Sequence, residues 1–338
     1  MKNKLFIFVV LLLNSLSVFS QGGVGVYRFL DLPVSSRLAA LGSDNISIRD
    51  NDLNFAFLNP ALLTSETNGM IGLNYSKYLS DIKFGSAVFG HNFGEKNYAA
   101  IGIQYVDLGT FDGRDNVDVH TGIFTAKDMA LNIIYARPLN KYFSVGGTFK
   151  PIFSAYERYS SFGMALDGGI SYADSAGLYS AGLVFRNLGV QLKSYRTDED
   201  GQHREPLPLD IQLGGSLKFA HAPFRVSATL NNLNRWNLAY QSTNLTEKKV
   251  SAIDVAFRHL IVGFEFVPSK NFYLAAAYNH RRHQEMSIQG FRSMSGFSFG
   301  GGIKLYKFHV GFGTTQIQQG VSTYQFSVTT SLNQFAGL

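Results

Sequence analysis

The sequence predicts an all-β protein, a 14-stranded antiparallel transmembrane β-barrel with an N-terminal hatch. Three observations carry this. Apolar and polar residues alternate with period 2 through most of the chain beyond residue 70, as a strand with one apolar and one polar face requires. The connections between these segments sort by length, tight on one side and mostly long on the other. The 338 residues include 34 glycines, 29 phenylalanines and 17 tyrosines but one tryptophan and no cysteine, and only 16% are charged. A soluble domain carries about a quarter charged residues.

The elements follow in chain order. Lys2 and Lys4 precede nine apolar residues, Leu5 to Leu13, and Val18-Phe19-Ser20 supplies a cleavage pattern. Residues 1–20 therefore read as a secretory signal, with Gln21 as the mature N-terminus. Its removal lowers the formal net charge from +6 to +4 by taking away two lysines. Beyond it no run of 18 apolar residues remains for a membrane helix. Residues 21–66 lack strict alternation and read as a hatch, periplasm-side and inside the lumen. Within it Ser35–Ser43 is a capped helical turn ending at Gly42, and Asn59-Pro60-Ala61-Leu62-Leu63 is a turn.

Residues 67–338 form the barrel. Its fourteen strands are expected at roughly 70–78, 83–93, 97–107, 128–138, 142–153, 161–172, 178–187, 208–220, 223–233, 255–267, 271–282, 296–306, 307–315 and 321–332. Most approach the 9–11 residues or so that a tilted strand needs to cross a bilayer. Tyr135, Tyr172, Tyr179, Tyr278 and Tyr324 sit at strand ends, as an interfacial girdle would. Connections 94–96, 139–141, 173–177, 221–222, 268–270 and the turn at Tyr306-Lys307 are tight. Connections 108–127, 188–207, 234–254 and 283–295 are long and polar; 79–82, 154–160 and 316–320 are shorter. Barrels of the Gram-negative outer membrane have short periplasmic turns and longer outside loops, so the N-terminus is expected in the periplasm.

Chemistry-bearing motifs are few. Asp50-x-Asp52-x-Asn54 begins like a calcium loop, but Phe55 stands where glycine is needed and Ala61 where a bidentate glutamate is needed. His280 and His283 fall in a solvated loop tip without a metalloprotease signature. Gly300-Gly301-Gly302 has no following lysine or helix, so it marks close backbone approach and not phosphate binding. No nucleophile elbow is present, thiol chemistry is excluded, and no basic stripe suits nucleic acid. Neither a catalytic residue, a metal site nor a cofactor is expected. Lys150, Asp167, Arg186 and Asp210 face inward on successive strands with alternating sign. They form either a ladder of ion pairs filling a narrow lumen or a tether for the hatch through Arg37 or Asp50.

The stretch Tyr27–Gly42, with Ser-x-Arg37-x-x-Ala-Leu-Gly, followed by Asn59-Pro60-Ala61, resembles the PorQ family of the type IX secretion system. So do Arg258–Lys270 and Ser295–Lys304. More broadly the chain is similar to PorV and to the FadL family of fourteen-stranded outer-membrane barrels with an Asn-Pro-Ala hatch. The resemblance implies a non-enzymatic component that anchors a PorZ-like soluble partner on the cell surface, beside PorU and PorV. That complex removes C-terminal signals from cargo and links the cargo to lipopolysaccharide. The docking surfaces would be the outside loops, through Arg114, Asp115, Arg196, Asp198, Glu199, Arg235, Lys248 and Lys249. The alternative is a FadL-like transporter of hydrophobic small molecules. Against it, the inward residues Gly102, Gln104, Thr148, Lys150, Asp210, Gln212, Ser216 and Lys218 are polar for an apolar pocket.

Overall fold

The computed structural model describes residues 25–78, 81–114, 118–198, 201–238, 251–287, 293–318 and 320–335. The expected signal segment 1–20 and the loop residues Asp115, Glu199, Lys248 and Lys249 lie outside the described residues. Fourteen antiparallel strands close into a barrel. The first seven are β1 (Met70–Lys77), β2 (Lys83–Asn92), β3 (Tyr98–Arg114), β4 (His120–Pro138), β5 (Phe143–Tyr156), β6 (Tyr159–Ala173) and β7 (Tyr179–Lys193). A separate two-stranded ribbon follows, β8 (Thr197–Asp198) and β9 (Gly201–Gln202). The wall resumes with β10 (Asp210–Lys218), β11 (Phe224–Leu230), β12 (Leu260–Ser269) and β13 (Phe272–Asn279). It ends with β14 (Phe297–Leu305), β15 (Phe308–Gln318) and β16 (Val321–Ser331), and β16 pairs with β1 to close the cylinder. Closure leaves no unpaired edge, the condition for strands in hydrocarbon.

The alternation does what the sequence implies. On β3 Ile101 and Ile103 project outward while Gln104 is buried; on β5 Phe149 and Phe153 are exposed while Thr148 and Lys150 are buried. Exposed apolar side chains on this scale, ringing a closed wall, belong against lipid. Met70, which opens β1, and Ser331, which closes β16, pair at the end that carries the tight turns.

Several segments depart from expectation, among them the connection 188–207, into which β7 extends as far as Lys193 before the ribbon β8–β9. The long loop 108–127 is mostly strand, since β3 and β4 run 17 and 19 residues and continue as a paired hairpin past register shifts at Asp107/Thr110 and Gly113/Arg114. The phenyl stack of Phe111 on Phe124, centroids 5.3 Å apart, supports that extension. The strand expected from residue 255 begins only at Leu260. Ahead of it lies helix α2 (Ala252–Arg258), capped by the Ser251 hydroxyl, which accepts from Ile253 N–H, and braced by Arg258–Asp254 at 2.7 Å. His280 and His283 start helix α3 (His280–Met286) instead of a solvated tip; His280 reaches Asp254 at 2.9 Å and His283 the Ser295 carbonyl at 2.9 Å.

The N-terminal segment fills the lumen. Helix α1 (Ser36–Ala40) is capped by Ser35 and turned off at Gly42, whose φ of 87° favours glycine. It lies on a glycine patch of the wall: a Cβ on Gly313 would meet the Ser36 backbone carbonyl, and one on Gly300 would come 2.7 Å from the Ala40 Cβ. Across the lumen a Cβ on Gly146 would stand 2.7 Å from the Pro60 carbonyl carbon. Between these seats Leu38, Ile46, Leu53 and Phe55 are fully enclosed. The segment was expected on the short-turn side. Its first described residues instead sit at the opposite mouth, where Val26 N–H donates to the Pro206 carbonyl and Tyr27 OH meets Ser161 Oγ at 2.5 Å. From there the chain threads the barrel to Met70.

Because the Gly146 contact is backbone against backbone, no side chain can move aside. Gly146→Ala is expected to destabilise the filled barrel by about 1–3 kcal/mol, read as a lower midpoint of heat-induced gel mobility; an unchanged midpoint would refute the close seat.

Candidate functional site

Four charges tie the segment to the wall. Arg37, on α1, donates from Nε to Glu265 at 2.9 Å and from Nη2 to Asp50 at 2.6 Å. Arg225 completes the circuit, with Nη1 2.9 Å from Asp50 and 2.8 Å from Glu265. Arg225 and Glu265 face each other across β11 and β12 in register. The four alternate in sign around a closed ring, two members from the segment and two from the barrel. Asp52 adds a looser contact to Arg37 at 3.5 Å, and Phe55 and Tyr273 flank the guanidinium at 5.3 and 4.9 Å. Burial pushes the Asp50 carboxyl up, but Arg37 and Arg225 outweigh it and hold the group well below the usual carboxylate range. The same burial works against Arg37, whose three carboxylate neighbours raise it well above its ordinary value.

Asn59, Pro60 and Ala61 form a second attachment. The Asn59 carboxamide oxygen accepts from Ala61 N–H at 3.0 Å, while Nδ2 donates to the Ile46 carbonyl at 2.9 Å and to the Ile170 carbonyl of β6 at 3.4 Å. One side chain thus caps its own turn and joins it to both segment and wall.

The four inward residues on successive strands do not form one ladder. Lys150 pairs with Asp167 at 2.5 Å. Asp167 also accepts from Asn187 N–H at 2.8 Å, and Asn187 Oδ1 accepts from Lys150 at 3.1 Å. Asn187 sits at φ 57° where the β6–β7 register shifts, so Arg186 and Asn187 both point inward and these charges satisfy a β-bulge. Arg186 leaves the group: it binds Asp44 at 3.2 Å and the Leu30 carbonyl at 3.1 Å, both on the N-terminal segment. Asp210, opposite Arg186 in register, accepts from Gln212 and from Asn232 N–H at 2.6 and 2.5 Å. The expected tether through Arg37 or Asp50 is therefore corrected in its partners. Arg186 reaches Asp44, and Arg37 and Asp50 reach Arg225 and Glu265. The last two lie on polar faces that period 2 identifies.

Of the loop residues, Arg114 is exposed and paired with Asp118 at 2.9 Å, and Arg196 is exposed. Asp198 lies in the short ribbon, and Arg235 turns into the barrel mouth. Two cavities flank the packed segment. One of about 620 Å³ opens at the tight-turn end among Arg37, Asp50, Arg225, Tyr273 and Lys304. The other, about 200 Å³, lies at the long-connection mouth among Arg28, Asp44, Asp210, Arg235 and Arg282. Among the described residues no three His, Asp or Glu side chains group as a metal site.

No protein-family model matches the chain, and no curated protein sequence matches it. Solved structures match in fold. A deltaS2 mutant of the TodX monoaromatic hydrocarbon channel aligns with TM-score 0.56 at 12% identity, covering 88% of this chain and 98% of that one. The Pseudomonas putida toluene transporter TodX aligns with TM-score 0.53 at 10% identity, covering 88% and 97%. A Pseudomonas aeruginosa FadL homologue aligns with TM-score 0.50 at 11% identity, covering 88% and 98%. The architecture is that of the FadL-type outer-membrane barrel, a fold these structures share with the present chain.

Removing one member of the ring strands its buried partners. Arg225→Met is expected to cost about 3–5 kcal/mol, and Arg225→Met with Glu265→Met to recover much of it; amide exchange across residues 36–52 measures both. Asp50 binds fewer protons folded than unfolded, so its contribution is fully present above the unfolded value of about 3.9 and is lost as pH falls through the lower folded value. Wild type should loosen on acidification through that window and Asp50→Asn should show a flatter profile by the same exchange measurement.

Proposed function

We propose that this chain is a closed, non-enzymatic outer-membrane anchor of the type IX secretion kind, with its long connections on the cell surface holding a PorZ-like soluble partner beside PorU and PorV. The observation that carries this reading is the lumen. It is occupied by a segment joined to the wall by a charge ring and seated on backbone glycines, with charged cavities at its two ends. A barrel stiffened in this way suits a platform, and the β3–β4 hairpin projecting at the long-connection mouth offers a partner paired strands with exposed Ile123 and Phe111. The resemblance through Tyr27–Gly42 and Asn59-Pro60-Ala61 supplies the secretion assignment; lipopolysaccharide would surround the outer face.

The comparisons favour a second reading, transport of hydrophobic small molecules, since two of the aligned structures bear the titles of a monoaromatic hydrocarbon channel and a toluene transporter. In that reading the segment 26–67 is a movable hatch. The charged lining of both cavities weighs against an apolar substrate.

Purification of the full chain from its native membrane in mild detergent separates the two. The anchor reading expects a large soluble protein to co-elute and to be lost when the β3–β4 hairpin is trimmed at residues 110–124. Toluene or fatty-acid uptake that depends on the chain, with no co-eluting protein, would replace it with transport.

A further inference from the structure

The smaller cavity is lined by four arginines and four carboxylates, and among the described residues two of its arginines stand outside any ion pair. Its wall comes from three connections at the long-connection mouth and from the start of the N-terminal segment. Four carboxylates face it, and each is already engaged. Asp31 pairs with Arg28 at 3.3 Å and Glu285 with Arg281 at 2.7 Å. Asp44 takes Arg186 at 3.2 Å together with Gln212 and Asn231, and Asp210 takes Gln212 and Asn232 N–H. Among the described residues Arg235 and Arg282 form no ion pair. Arg282 donates from Nη2 to Ser43 Oγ at 3.0 Å, and Arg235 donates from Nη2 to Asn232 Oδ1 at 3.3 Å. Arg282 Nη1 and Arg235 Nε are buried with no hydrogen-bond partner.

Leaving a guanidinium donor buried and unpaired is costly, and each additional acceptor placed there recovers part of that cost. Two guanidiniums opening onto one compact space suit a small, doubly charged group whose oxygens accept several N–H bonds at once. We propose that this mouth cavity is a binding site for a phosphate monoester, with Arg235 and Arg282 as its ligands. Burial pushes both guanidiniums down from their ordinary value, most directly for Arg282, and an anion between them opposes that shift. The phosphate can belong to a free solute or to the phosphorylated headgroup of lipopolysaccharide in the surrounding leaflet. The site stands on its own geometry and does not rest on the anchor reading.

Isothermal titration of the detergent-purified full chain tests it, with inorganic phosphate, with acetate, and with lipopolysaccharide before and after phosphatase treatment. Saturable binding of phosphate but not acetate is expected. Arg235→Gln and Arg282→Gln should each weaken it about tenfold or more, while the exposed control Arg114→Gln leaves it unchanged. Phosphatase-sensitive binding of lipopolysaccharide assigns the headgroup as source; binding of phosphate alone assigns a solute. If Arg282→Gln fails to fold, as judged by heat-modifiable gel mobility, Arg235→Gln and Arg282→Lys carry the comparison. No saturable binding of phosphate or intact lipopolysaccharide by the folded wild type overturns the proposal, as does unaltered binding in folded Arg235→Gln with Arg282→Lys.

Discussion

Everything inside this barrel is organised around the ring of Arg37, Asp50, Arg225 and Glu265. Arg37, Arg225 and Glu265 are largely shielded from water, so their attractions are weakly screened and favour the placement of the segment that pairs all four charges. Such a ring contributes little net stability compared with apolar filling, because Arg37, Arg225 and Glu265 have lost most of their hydration. What it does is make wrong seats expensive. A segment shifted by one turn would part Arg37 from Glu265 and Asp50 from Arg225, leaving two charges on each side short of a partner.

The glycine seats act with it. Charges orient the segment, but close approach brings its backbone onto the wall, and that approach depends on missing Cβ atoms at Gly146 and Gly313. Asn59 then joins the turn to β6 through a carbonyl that ladder pairing leaves accessible. Apolar side chains such as Leu38, Ile46 and Phe55 occupy the remaining space. The filling leaves two charged chambers: a wide one where the ring lies beside Lys218, Lys270 and Lys304, and a narrow one where, among the described residues, Arg235 and Arg282 stand outside any ion pair. Function at the two ends can therefore differ, because the packed segment separates them.

Much of this was readable from residue order. Period 2 assigned Lys150, Asp167, Arg186 and Asp210 to the inside and Ile101, Phe149 and Leu213 to the outside, as they stand. Alternation names a face but not a height or a partner, so Arg186 could not be matched to Asp44, nor Arg37 to Glu265, 228 residues away. The same rule misled at 255–258, where Ile253, Val255 and Phe257 alternate yet lie on a helix held by a local cap and an i,i+4 pair. Polar composition concealed the β3–β4 extension, because strands beyond the bilayer need no apolar face on one side.

The sequence by itself determined the closed fourteen-stranded wall, since the repeat of apolar side chains and the sorting of connections are local properties that each strand carries alone. Only the tertiary structure decided where the N-terminal segment begins, which charges it meets, and which arginines are left over at the mouth. Those outcomes depend on the shear and curvature of the whole cylinder, which bring residues from distant strands to one level, and no short stretch of sequence encodes that level.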